Sequence, residues 1–108
     1  MFFITLTYDD AHLPYNQSLS VRDFQLFMKR LRKEFGSGVR FFHCGEYGEK
    51  TGRPHYHAIL FNCDFKDKKI HTVRNGHRVY VSQQLNDIWG NGLTEIGSVT
   101  FESAGLIS

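Results

Sequence analysis

The sequence predicts one α+β domain, in which helices pack on a central, mostly antiparallel sheet in a split βαβ arrangement. Its 108 residues suffice for one hydrophobic core, and 41% hydrophobic with 22% charged residues is typical of a folded chain. Apolar periodicity gives the order strand, helix, strand, strand, hairpin, helix, strand. We therefore treat residues 1–108 as a single domain with a hairpin arm at about 64–81.

The first two elements are a strand and a long amphipathic helix. Residues 2–8 are rich in β-branched and aromatic side chains and end in an Asp-Asp turn signal, which predicts a strand. Ser20, with an acid three positions later, begins a helix that ends before Gly36. The apolar residues of this helix recur at helical spacing: Val21, Phe24, Phe27, Met28, Leu31 and Phe35.

Two further strands are predicted at residues 39–44 and 54–61. The segment between them, GEYGEKTGR, is too short for a parallel crossover, so these strands should be antiparallel neighbours. Asn75-Gly76 between two β-like runs then signals a tight hairpin. The basic side chains of this arm are candidates for contacts to phosphate: Lys66, Lys68, Lys69, Arg74, His77 and Arg78.

The chain ends in a short helix and a last strand. Ser82 is the predicted N-cap of a helix that reaches Trp89, and glycines break this helix. Residues 93–101 alternate loosely, as in a strand. Cys44 and Cys63 do not suggest a disulfide framework, and the N-terminus resembles neither a signal peptide nor a membrane span. We expect reduced thiols and an intracellular protein that does not bind a membrane.

Two histidines stand one residue apart in the strand sequence PHYHAILF. Residues i and i+2 of a strand face the same side, so His55 and His57 would present adjacent imidazoles. Glu46, near the end of the preceding strand, would lie roughly opposite one of them if the hairpin closes. Two nitrogens and a carboxylate suit Mn²⁺ or Mg²⁺ and leave coordination positions for substrate oxygens.

Four segments resemble the replication initiators of small single-stranded DNA phages, the microviruses and especially the gokushovirus branch. They are FFITLTYDD, RDFQLFMKRLRKEF, RFFHCGEYGEKTGRPHYHAILF and IGSVTFESA, in the family's order over nearly the whole chain. The initiators are His-hydrophobe-His (HUH) endonucleases with a ferredoxin/RRM-like fold. The resemblance implies that His55 and His57 are the metal-binding pair and that Glu46 is the carboxylate completing the site.

The resemblance also implies a reaction, partners and a compartment. In such enzymes a divalent metal activates the scissile phosphate of single-stranded DNA, and a tyrosine attacks to leave a 5′-phosphotyrosine and a free 3′-hydroxyl. The same site can later rejoin the ends, as rolling-circle replication requires. The expected partners are a single-stranded replication origin and host replication proteins, in the cytoplasm of a bacterial host.

One expected residue is missing from the 108 residues. The family's nucleophilic tyrosine lies on a helix just after the ESA segment, a position that falls at about Leu106 or beyond Ser108. The tyrosines present are strand or loop residues with no matching position: Tyr8, Tyr15, Tyr47, Tyr56 and Tyr80. We therefore name no catalytic residue and expect a chain truncated at both ends, since the family's cysteine-rich N-terminal segment is also missing.

Two other interpretations stay open. One is a non-catalytic single-stranded DNA-binding module or phage remnant, with Tyr8 or Tyr47 stacking on bases and the arm contacting phosphates. The other is a structural zinc site, built from His43, Cys44, Cys63 and the histidine pair. Neither cysteine belongs to a C-x-x-C pair, and Cys44 is expected to alternate away from its neighbours' face, which disfavours zinc.

Overall fold

The computed structural model describes residues 2–13, 21–47, 54–74 and 76–97, and for residues 43–47 it describes the backbone. The predicted order of elements is confirmed within these ranges. They are β1 (Phe2–Thr7), α1 (Val21–Phe35), β2 (Arg40–Tyr47), β3 (Pro54–Phe61), β4 (Lys69–Arg74), β5 (His77–Val81), α2 (Gln83–Trp89) and β6 (Thr94–Gly97). The proposed N-cap Ser20, Asn75 and residues 98–101 of the predicted last strand lie outside the described residues.

The described strands form one antiparallel sheet in the order β2-β3-β1-β6-β5-β4. Strand β3 lies between β1 and β2 and is antiparallel to both, so β1 and β2 run parallel and are connected through α1. This is the predicted split βαβ unit. Strand β2 is longer than predicted because its ladder with β3 extends to the Tyr47 and Pro54 pair.

Both helices pack against the same face of the sheet. Alternate strand residues point to that face, so Ile4 and Leu6 of β1 and Tyr56 and Leu60 of β3 are buried there. The helices contribute the other large side chains of this core: Phe24, Phe27, Met28, Leu31, Leu85, Ile88 and Trp89. Helix α1 is amphipathic, and its apolar stripe meets the sheet as its sequence predicts.

Helix α2 is held at both ends by specific hydrogen bonds. The Ser82 hydroxyl accepts from the amide of Leu85 at 3.1 Å, which confirms the predicted N-cap. At the other end Gly90 adopts a left-handed conformation with φ of 71°, and its amide donates to the carbonyl of Asn86 at 2.8 Å. The indole of Trp89 donates to the carbonyl of Thr7 at 2.7 Å, which fixes α2 against the end of β1.

The turn from α2 to β6 passes very close to β1. A Cβ atom at Gly92 would lie 2.4 Å from the carbonyl oxygen of Thr7 and 2.6 Å from the amide nitrogen of Asp9. A side chain there would collide with main-chain atoms that cannot move away easily. Within the described ranges, neither helix is long and apolar enough to cross a membrane.

Candidate functional site

The two histidines of β3 lie on the sheet face that the helices do not cover. His55 and His57 are half-buried, whereas their neighbours Tyr56 and Ala58 point into the core. The centroids of the two imidazole rings are 4.8 Å apart, with an interplanar angle of 85°. Strand alternation therefore places two nitrogen-bearing rings side by side on one surface.

The neighbouring strands place defined positions beside these rings. In β1, Thr5 pairs with His57 and Thr7 pairs with His55. In β2, the backbone of Glu46 pairs directly with His55, which is a register that allows a carboxylate to approach the imidazoles. The Glu46 side chain is outside the described part of the structure, and the side chains that are described include no cluster of three potential metal ligands.

Contacts on two sides hold the ring of His57. The hydroxyl oxygen of Thr5 lies 3.1 Å from Nδ1, and the ring of Phe3 stacks on the imidazole with centroids 5.2 Å apart and an interplanar angle of 16°. When Nδ1 carries the proton, it donates to the hydroxyl, and Nε2 is the nitrogen with a lone pair for a metal. Metal-bound histidines usually have such a partner on the second nitrogen, so this donor set fits a divalent cation.

The residues of the zinc alternative do not converge. Cys63 packs against the core on the helix side, and burial raises the pKa of its thiol to about 11, so the thiolate that zinc requires is disfavoured. The register pairs His43 with the core residue Ala58, which places its strand position on the helix side. The expectation for Cys44 was wrong, because the register pairs it with His57 and so with the histidine face.

Tyr8 does not lie where the DNA-binding prediction needs it. Its side chain is only 6% exposed, and its hydroxyl donates to Asp23 at 2.7 Å and lies 3.2 Å from the hydroxyl of Tyr56. Burial, with these two partners, raises the pKa of Tyr8 far above its usual range. A ring enclosed in the core cannot stack on a base, so Tyr8 is a packing residue. The side chain of Tyr47 is outside the described residues.

The basic arm is largely exposed, as expected for a surface that contacts phosphates. Its exposed members are Lys66, Lys69, Arg74, His77 and Arg78, whereas Lys68 is half-buried. Lys68 donates to Asp64 at 3.0 Å, and Arg74 donates twice to Glu95, at 2.6 and 3.2 Å. Because Glu95 pairs with Thr5 in the register, the Arg74 guanidinium reaches the same sheet face as the histidines.

Sequence reasoning missed two aromatic side chains on this face. Phe42 is 61% exposed, and Phe3 is half-buried and stacks on His57. Strand parity could have identified both, because Phe3 shares its face with Thr5, and Phe42 lies two residues before Cys44. Their apolar character made them resemble core residues.

The chain was compared with known proteins. A model of the replication-associated protein ORF2 family matches residues 1–108. The replication-associated protein VP4 of Bdellovibrio phage phiMH2K is 42% identical over 115 residues, covering 98% of this chain and 36% of that protein. The replication-associated protein ORF2 of Spiroplasma virus 4 is 35% identical over 112 residues, covering 95% of this chain and 35% of that protein.

The replication-associated protein ORF4 of Chlamydia phage 1 is also similar, at 33% identity over 106 residues, covering 90% of this chain and 26% of that protein. The chain thus spans about a third of the length of the first two relatives and a quarter of the third. No solved structure matches it.

Proposed function

The chain belongs to the replication-associated protein ORF2 family, and from that premise we propose that it carries the metal-binding core of a phage replication initiator that nicks and rejoins single-stranded DNA. The observation that supports this most directly is the pair of imidazoles 4.8 Å apart on the uncovered sheet face. The register position of Glu46 opposite His55 supplies the third ligand in this proposal.

His55, His57 and Glu46 would hold Mn²⁺ or Mg²⁺. A divalent cation bound there would act as a Lewis acid on the scissile phosphate, drawing charge from a nonbridging oxygen. The residues of the sheet do the positioning: the Thr5 hydroxyl and the Phe3 ring fix the orientation of His57, and β3 fixes the spacing of the two histidines. A rigid strand pair is a suitable platform because a small displacement of a ligand weakens catalysis strongly.

The covalent step requires a tyrosine. Its phenol oxygen would form a bond to phosphorus while the bond from phosphorus to the 3′-oxygen breaks, and that oxygen leaves as a 3′-hydroxyl after taking up a proton. Among the described residues, Tyr8 and Tyr56 are buried in the core, and Tyr80 packs against it. We propose that the nucleophile comes from outside these 108 residues, in a longer protein or a second chain. Host replication proteins remain predicted partners.

Calorimetric titration with Mn²⁺ tests the metal site. We expect the unmutated chain to bind Mn²⁺ and the His55→Ala, His57→Ala double variant to lose binding. The matched control is the His71→Ala, His77→Ala variant, because both of these histidines are exposed in the arm and away from the pair. A single-stranded DNA cleavage assay runs alongside. Absence of Mn²⁺ binding by the unmutated chain would overturn the metal-site assignment.

A second candidate function is single-stranded DNA binding without chemistry. The exposure of Lys66, Lys69 and Arg78 favours it, since cations that contact phosphates must be accessible. Binding of an oligonucleotide in EDTA, falling steeply with salt and weakened by neutralising these three residues, is the expected result. Equal affinity in the triple variant would contradict a role for the arm.

A further inference from the structure

A row of apolar residues crosses the uncovered face of the sheet beside the histidines. The register pairs Phe42 of β2 with Ile59 of β3, Ile59 with Phe3 of β1, and Phe3 with Gly97 of β6. Phe42 is 61% exposed, and a Cβ atom built at Gly97 meets nothing within 4 Å, so there is open space next to Phe3. The row thus has two aromatic rings and a gap, all on one surface.

This aromatic row lies next to the proposed metal ligands. His57 is two residues from Ile59 along β3, which is about 7 Å along a strand. The connection is direct, because the ring of Phe3 stacks on that of His57. On the other side of the row, the exposed Arg40 lies two residues from Phe42 and pairs with Phe61. An apolar platform is therefore flanked by a guanidinium on one side and by the imidazole pair on the other.

We propose that Phe42 and Phe3 form a stacking platform for an unpaired nucleobase next to the scissile phosphate. The inference rests on the proposed function, because it takes single-stranded DNA as the ligand. A nucleotide joins a flat, apolar base to an anionic phosphate, and the face offers both complements: aromatic rings for the base and Arg40 for a phosphate. Sheet aromatics that stack on splayed bases are a recurring solution in nucleic-acid-binding domains. Such stacking tolerates any base, so it would position the strand without reading its sequence.

Substitutions at Phe42 separate stacking from simple apolar contact. Phe42→Leu keeps an apolar side chain but removes the aromatic face, whereas Phe42→Tyr keeps that face. The probe is a fluorescein-labelled single-stranded oligothymidine, followed by anisotropy in EDTA, and a labelled strand of the same length with abasic sites is the reference. We expect Phe42→Leu to weaken oligothymidine binding about tenfold, with Phe42→Tyr near the unmutated affinity and no change on the abasic strand. Ile70→Ala, at a residue 59% exposed on β4, is the matched control and should not change binding.

A second measurement observes the contact directly. Phe42→Trp puts an indole on the exposed face, and base stacking should quench its fluorescence, while Trp89 stays fully buried and contributes a constant background. Unchanged affinity in Phe42→Leu, or equal losses on both probes, would overturn the proposal. So would a chain that sediments as a dimer and becomes monomeric in Phe42→Ala with unaltered DNA binding, since the face would then hold a second copy. The tests use no metal, so failure of the metal site leaves their result interpretable.

Discussion

Replacing Thr5 by Val tests whether the central strand positions a metal ligand. Valine has nearly the shape of threonine and an equal preference for strands, so β1 should remain intact. The change removes the hydroxyl 3.1 Å from Nδ1 of His57 and leaves the Phe3 ring in place. A partly buried hydrogen bond contributes about 1 kcal/mol, and partners of metal-bound histidines commonly change affinity about 10–100-fold.

We therefore expect the Mn²⁺ affinity of Thr5→Val to fall about tenfold, measured by calorimetry, with little change in the thermal unfolding of the metal-free chain. Thr5→Ser should restore most of the affinity because it restores the hydroxyl. Thr7→Val is the matched control: Thr7 lies on the same face of β1, but its hydroxyl donates to the carbonyl of Leu93 at 2.8 Å. Equal Mn²⁺ affinity in Thr5→Val and the unmutated chain would refute a positioning role for Thr5.

Three further predictions concern stability. Tyr8→Phe should lower the free energy of unfolding in urea by about 1–2 kcal/mol, because it leaves Asp23 without a donor, and it should not change oligonucleotide affinity; weaker DNA binding with unchanged stability would show that Tyr8 acts at the surface after all. Ser82→Ala should cost about 1 kcal/mol by removing the N-cap. The Ser82 hydroxyl and the amide of Gln84 lower the pKa of Asp67, so this carboxylate contributes stability above its unfolded-state pKa of about 4, which is lost as the pH falls through the lower folded-state pKa. Acid titration of unfolding should therefore show a smaller loss in Ser82→Ala, and identical pH profiles would contradict the link. Gly92→Ala should lower the melting temperature by an amount equivalent to about 1–3 kcal/mol, because its Cβ would lie 2.4 Å from the carbonyl oxygen at the end of β1; an unchanged melting temperature would show that this turn can move.

The order of the elements could be predicted because each has a local signal. Helix α1 has a full apolar stripe, the Asn75-Gly76 pair lies between two strand-like runs, and Ser82 precedes a short apolar helix. The order of the strands in the sheet follows partly from connection lengths: the short segment from β2 to β3 requires an antiparallel pair. The position of β6 next to β1 has no local signal, because it depends on a close main-chain approach at Gly92.

The candidate site could be predicted only in part, because residue type does not reveal which face of a sheet is covered. Tyr8 resembles an exposed stacking residue in the sequence, but it continues the buried alternation of Ile4 and Leu6 and packs against Trp89 with ring centroids 5.3 Å apart. Phe42 resembles a core residue but lies on the uncovered face. The helices decide both outcomes, and their placement is a tertiary property.

Strand β1 has a special role because it borders both halves of the sheet. It pairs with β3 on one side and β6 on the other, so Thr5 lies between His57 and Glu95 in the register. Glu95 in turn accepts two hydrogen bonds from Arg74 of the hairpin arm, and Thr5 bonds to His57. The arm is thus connected to the histidine pair through consecutive contacts across one face of a rigid sheet. If Arg74 exchanges Glu95 for a DNA phosphate, the released carboxylate lies beside Thr5, which makes β1 the element through which the arm and the proposed metal site would influence each other.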